Sequence, residues 1–149
     1  MRADDDLTAP ILLEDVLRCS AERGFATYAG RIGDWWDPLY TANADTLEAV
    51  TIEPRAGGRL YATHRDLGEH DWGTVTVWEP GRQLIHTFSL AQDPRNPSEV
   101  AVEFVPAGAG CTVRLAHGGW TAATVDACQR FSDWPLLLDR FKARAEADA

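Results

Sequence analysis

Two histidines sit inside apolar, alternating runs. His86 falls within Leu84, His86, Phe88 and Leu90, and His117 within Cys111, Val113, Leu115 and His117. In a strand every second residue shares a face, so each imidazole belongs to the same side as its apolar neighbours. Such an imidazole is either a core histidine satisfied by a hydrogen-bond partner or a polar handle turned toward a small molecule. Acid–base work would need the titratable group within about 3 Å of the moving proton. No carboxylate shares these rows, since Glu103 alternates to the other face. Metal ligation by the pair lacks a third ligand. A denser cluster, His64, Asp66, Glu69, His70 and Asp71, crowds one hairpin. Its residue types suit a metal, but turns favour the same types, and the reading is a polar, solvated hairpin without metal. Six tryptophans, Trp35, Trp36, Trp72, Trp78, Trp120 and Trp134, are many for one small domain. They form a core of large rings, the wall of a cavity that stacks an aromatic guest, or some of each.

Other chemistries lack their parts. Ser20, Ser89, Ser98 and Ser132 have no strand-to-helix elbow of the G-x-S-x-G type. Gly57 and Gly58 lie between strands and open no helix, so they make a hairpin turn and not a phosphate cradle. Arg55 and Arg59 flank that turn as a solvated rim. Cys19, Cys111 and Cys128 are widely spaced without a C-x-x-C pair, and read as small buried hydrophobes. No cofactor is expected.

The chain has 149 residues and a net charge of −9, with Lys142 its only lysine. That length is one domain's worth, and the negative charge argues against nucleic acid, a polyanion that demands a basic footprint. No apolar run approaches the roughly 20 residues of a membrane span. The start, MRADDDLTAP, lacks the apolar segment of a signal peptide, which places the protein in the cytoplasm. Residues 1–9 read as a mobile acidic tail and 10–149 as a single domain.

The elements that must position these side chains follow from periodicity. A strand is expected over Ile11–Cys19, then a short helix capped by Ser20 with Glu22 in its first turn, ended by Gly30. A further helical turn precedes Trp35 and Trp36 and closes at Pro38. Period-2 runs then alternate with turns at Leu47–Glu53, Arg59–Arg65, Trp72–Trp78, Gln83–Leu90, Val100–Val105 and Cys111–His117. One face of this antiparallel meander is strongly apolar and needs a cover. Cys128, Phe131, Trp134, Leu138 and Phe141 recur at helical spacing and supply it. Pro135 calls for a kink or fresh start, with Ser132 or Asp133 capping. The fold class is α+β.

Trp35-Trp36-x-Pro38, Glu53-Pro54-Arg55-x-Gly57-Gly58, Trp72-Gly73-x-Val75, Trp78-Glu79-Pro80, Phe104-x-Pro106, Val113-x-Leu115-x-His117-x-Gly119-Trp120 and a late Trp134 occur in one order. In this the chain resembles the SRPBCC superfamily, also called START-like or helix-grip, in the branch named after the activator of the heat-shock chaperone ATPase. The resemblance spans about residues 11–145. It implies a curved antiparallel sheet of six to seven strands around a long C-terminal helix, with two short helices after the first strand. It also implies a hydrophobic cavity between helix and sheet. On that reading Trp36, Tyr61, Trp72, His86, Phe88, Phe104, Val113, His117, Trp120, Phe131, Trp134 and Leu138 line the cavity. Cys111 stands where the strand usually begins with Thr, and Asp133 where Gly commonly precedes the helix Trp. The first function so implied is binding of an apolar or aromatic small molecule, lipid-like or polyketide-like. The alternatives are a cyclase or hydrolase using His86 or His117, and a co-chaperone-like domain. A chaperone partner is not expected, because the co-chaperone that names the branch uses a separate N-terminal domain. A homodimer is compatible with such a domain, although no residue demands one.

Overall fold

The computed structural model describes residues 10–89, 97–119 and 134–147. Among them seven strands form one antiparallel sheet: β1 (Ile11–Leu17), β2 (Leu47–Ile52), β3 (Arg59–His64), β4 (Gly68–Glu79), β5 (Gln83–Phe88), β6 (Ser98–Ala107) and β7 (Gly110–Gly118). Their spatial order is β1-β7-β6-β5-β4-β3-β2. The strands from β2 to β7 are therefore the expected meander, and β1 joins its far edge beside β7. Between β1 and β2 run α1 (Ala21–Gly30), the one-turn α2 (Ile32–Trp35) and a 3-10 turn at Pro38–Tyr40; α3 (Trp134–Glu146) follows the sheet. The α+β class and helix-grip arrangement read from the sequence are those found.

Local chemistry explains the helices. The Ser20 hydroxyl accepts from the Arg23 backbone N–H at 3.1 Å, and Glu22 occupies the first turn of α1, where the dipole favours an anion. In α3, Trp134, Leu137, Leu138, Phe141 and Ala145 are buried at three- and four-residue spacing, the stripe that covers a sheet. Pro135 follows Trp134, the first described residue of α3. The choice between a kink and a fresh start turns on the residues before Trp134, and Cys128, Phe131, Ser132 and Asp133 lie outside the described residues. Polar ties anchor the helix: Arg140 Nε donates to the Trp35 carbonyl, Arg23 Nε donates to the Ala145 carbonyl, and the Glu146 carboxylate accepts from the Arg18 N–H. No helix among the described residues is long and apolar enough to cross a membrane.

The sheet departs from expectation at the β3–β4 hairpin. His64 pairs with Gly68, Thr63 with Glu69 and Ala62 with His70, so β4 begins at Gly68, four residues before the expected Trp72. Glu69, His70 and Asp71 are strand residues because the hairpin arms zip up to a tight turn. The register slips between Leu60 and Tyr61, opposite Trp72. Gly73, next along β4, has no room for a side chain: a Cβ there would stand 1.9 Å from the Thr87 carbonyl oxygen.

Candidate ligand-binding site

Alternation turns one residue in two toward α3. The inner face carries Leu60, Ala62 and His64 from β3, Trp72 and Val75 from β4, and Leu84, His86 and Phe88 from β5. Strand β6 adds Ser98, Val100, Val102 and Phe104, and β7 adds Cys111, Val113, Leu115 and His117. Aromatic rings fill much of the space between this face and the helices. Around one end of α3, Phe141 meets Tyr28, Trp35 and Phe104 with centroids 5.4–6.2 Å apart. Around the other, Trp36 lies 5.3 Å from Trp72, 6.0 Å from Phe88 and 5.7 Å from Trp134. Such tilted and edge-on pairs add to the burial of the rings themselves.

The two in-row histidines differ in their hydrogen bonds. The indole N–H of Trp134 can only donate, and it reaches His117 Nδ1 at 2.9 Å. That nitrogen is therefore the acceptor, and the imidazole proton sits on Nε2. From there it is directed to Ser98 Oγ at 2.6 Å, and the Ser98 hydroxyl donates to the Phe88 carbonyl at 3.0 Å. The relay Trp134–His117–Ser98–Phe88 ties α3 to β7, β6 and β5, with both ring nitrogens of His117 occupied. Desolvation, with His86 nearby, holds the His117 pKa down to about 3, so the ring stays neutral. Here the satisfied core histidine is the correct reading.

His86 is the opposite case. Its Nδ1–H donates to the Thr87 carbonyl at 2.8 Å, and Nε2 has no partner although the residue is 1% exposed. Burial presses its pKa to about 4. Nε2 is therefore a bare lone pair within an apolar enclosure. Three more buried polar atoms are unpartnered among the described residues: Trp72 Nε1, His64 Nε2 and His70 Nδ1. All four belong to β3, β4 and β5. Among the described residues the buried Ser98 and His117 side chains of β6 and β7 are paired, whereas every unpartnered buried polar side-chain atom lies on β3, β4 or β5. An orphaned buried donor or acceptor costs about 1–3 kcal/mol, which makes this wall the costly part of the fold.

Several residues expected at the cavity do come together here: Trp36, Trp72, His86, Phe88, His117 and Trp134 are linked in one chain of ring contacts. Phe104, Val113 and Leu138 are buried on the same side, further toward Phe141. Tyr61 is not with them. It alternates to the outer face, where the Arg59 guanidinium lies 4.3 Å over its ring, and Arg59 pairs with Glu69 and Asp71. The bulge beside Leu60 leaves these side chains on one outer patch, so Arg59 is an ion-pair centre and not a loose rim. Trp120 and Phe131 lie outside the described residues. The solvated-hairpin reading is corrected at His64, which is 2% exposed, and at His70, whose Nδ1 is buried. The alternation Leu60, Ala62, His64 carried that signal, and the acidic neighbours on the other face obscured it. Among the described residues no three His, Cys, Asp or Glu side chains group to hold a metal.

Cys111 is buried against Cys19, which follows β1. Burial pushes the Cys111 thiol up to about 11, so it is an inert core group. Solvent grooves lined by described residues lie away from the ring cluster. One, of about 450 Å³, runs along the outer side of β1, β5, β6 and β7 past Glu14, Glu103 and Arg114. Another separates α2 from β2.

Residues 25–146 match the family described as Activator of Hsp90 ATPase homolog 1-like protein. The chain belongs to that family. This AHSA1-like domain thus falls in the SRPBCC superfamily that its motifs resemble. It matches no curated protein significantly, but solved structures share its fold over nearly its whole length. The self-sacrificing resistance protein CalC from Micromonospora echinospora is 18% identical, with a TM-score of 0.70, over 96% of this chain and 97% of its own. An Aha1 dimer from Colwellia psychrerythraea is 16% identical, with a TM-score of 0.68, over 92% and 96%. Txn09, an anthrahydroquino-γ-pyrone synthase, is 28% identical, with a TM-score of 0.61, over 90% and 95%.

Proposed function

We propose that this AHSA1-like domain binds an apolar, aromatic small molecule between α3 and the inner face of β3 to β5. The observation that carries the reading is the set of four unpartnered polar atoms among buried rings on one wall. Small-molecule sites have this composition: apolar and aromatic walls with a few polar groups that fix orientation. A fold that pairs the buried Ser98 and His117 side chains has no packing reason to leave the polar atoms of β3 to β5 bare. The likeness to Txn09 points to the same class of guest.

Native mass spectrometry of freshly purified protein, followed by thermal denaturation with a library of aromatic and lipid-like compounds, tests the proposal. A ligand at 100 times its Kd adds about 2.7 kcal/mol, a rise of roughly 5–11 °C for a domain of this length. No retained mass and no rise with any compound would refute it. The Txn09 likeness also favours a second reading, a cyclase-type enzyme with His86 Nε2 as the base, since that lone pair is free and neutral. The two readings separate on His86→Phe: an enzyme loses turnover while it still binds substrate, whereas for a carrier only affinity changes.

A further inference from the structure

His64 and His70 form a pair of their own at the turn end of the β3–β4 hairpin. Ala62 pairs with His70 and His64 with Gly68, so the two imidazoles are diagonal neighbours, with ring centroids 6.5 Å apart. Gly68 puts no side chain opposite His64, and Leu47 of β2, packed against the core, flanks it on the other side. His64 is 2% exposed, and each ring has one buried nitrogen without a partner, Nε2 of His64 and Nδ1 of His70.

Hydrogen bonds decide which nitrogen of His64 holds the proton. The Thr46 hydroxyl has one proton to give, and it faces the Asp66 carboxylate, held below the ordinary carboxylate range first by that bond, and the Asn43 carbonyl at 3.5 Å. Both can only accept. Toward His64, Thr46 is therefore the acceptor: Nδ1–H donates to Thr46 Oγ1 at 3.2 Å, and Nε2 carries the lone pair. Metal-binding histidines are oriented in this manner, the nitrogen away from the metal donating to an oxygen that fixes the ring. His70, with its proton on Nε2, offers a second lone pair.

The carboxylates of the hairpin are engaged elsewhere. Glu69 and Asp71 pair with Arg59 on the outer face, and Asp66 is held by Thr46 and Asn43. Two neutral nitrogens do not suit calcium or magnesium, which need several oxygens, and they leave zinc two ligands short. Copper(I) takes imidazole ligands, is satisfied by two of them in line, and with a single charge costs less to desolvate than a divalent ion. Metal–imidazole bonds of about 2 Å put the centroids of two rings about 6 Å apart when collinear and about 5 Å when tetrahedral. The observed 6.5 Å suits the linear arrangement. Such coordination leaves the rings free to twist about its axis, so the 54° between their planes is no obstacle.

We propose that His64 Nε2 and His70 Nδ1 bind one copper(I) ion between them. This site is independent of the ligand-binding reading, and leaves Trp72 Nε1 and His86 Nε2 as the polar handles of that guest.

Anaerobic competition against bicinchoninate, with ascorbate keeping the copper reduced, tests it. The protein should withdraw one equivalent of copper(I), and X-ray absorption at the copper edge should show two imidazole nitrogens and no sulfur. Thr46→Val, which removes an orienting group, should weaken binding by about 10–100-fold, and His64→Gln or His70→Gln by more. No copper withdrawn, or sulfur bound to it, which would assign the ion to cysteine, overturns the site. Unchanged affinity in either histidine variant does the same. The absorption spectrum is taken on the wild-type protein and decides the matter even if a variant fails to fold. Binding of aromatic compounds is measured without copper, so failure of one reading is distinguishable from failure of the other.

Discussion

Acid should destabilise this domain well above the pH at which its carboxylates titrate. The pKa values of His86 and His117 lie near 4 and 3 in the folded protein, against about 6.5 for an ordinary histidine. Both rings are neutral when folded and take up a proton once unfolded at mildly acidic pH. The unfolded state therefore binds more protons below pH 6.5, and stability falls with pH. It is fully present above 6.5 and is lost as pH drops toward 4 and then 3. Linkage makes the loss between pH 7 and 5 about 1.8 kcal/mol for each ring, or about 3–4 kcal/mol for the pair. That is a large part of the 5–15 kcal/mol typical of a domain. Urea denaturation at pH 7, 6 and 5 would measure it directly, because unfolded carboxylates, with pKa values near 4, contribute little in that window. His86→Phe should cut the drop by about half. A change below about 1 kcal/mol between pH 7 and 5 would show that burial does not hold the rings neutral and would refute the reasoning.

Substituting the two histidines identically should give unlike results. His117→Phe leaves the buried Trp134 indole N–H without its acceptor and is expected to cost about 1–3 kcal/mol or more in urea denaturation. His86→Phe removes an acceptor that has no donor together with one hydrogen bond to the Thr87 carbonyl, and should cost less at pH 7 than His117→Phe, about 1 kcal/mol or under. Phe141→Ala, at a site 0% exposed and against three rings, should cost about 3–5 kcal/mol. Gly73→Ala places a Cβ into the Thr87 carbonyl; it is expected to lower the melting temperature by more than Phe141→Ala or to prevent folding, as judged by circular dichroism. Cys111 should resist a maleimide reagent in the native protein and react only after denaturation, since its thiol is buried and protonated.

Much of the architecture was legible because it depends on periodicity. The rows Leu84–His86–Phe88 and Cys111–Val113–Leu115–His117 name the inner face by alternation alone, and the spacing Trp134, Leu138, Phe141 names the covering side of α3. The site was only half legible. Its rings could be assigned to the interior, but a sequence does not say which buried polar atom meets a partner, because the partner comes from another element. Trp134 lies 17 residues beyond His117 and Ser98 lies 19 before it. Tyr61 went astray although the alternation of Leu60, Ala62 and His64 already turns it to the outer face, because its aromatic ring was taken for a cavity wall. His64 and His70 went astray because a run of acidic residues around a turn looks solvated, although in a paired strand those carboxylates take only every second position.

The same contrast bears on how the molecule divides its labour. His117 and His86 lie level on β7 and β5, either side of Val100 on β6, both touch the Phe88 ring and share a neutral state, yet one closes a four-member relay and the other ends in a bare nitrogen. The relay joins α3 to three strands, so it holds the helix over β6 and β7 whatever happens on the other side. A domain built to be solid throughout would have no use for the difference. A domain that binds a small molecule on one side while keeping its cover on the other needs a polar clasp on one side and unmet polar groups on the other, and the hydrogen bonds of these two histidines fit the binding proposed above.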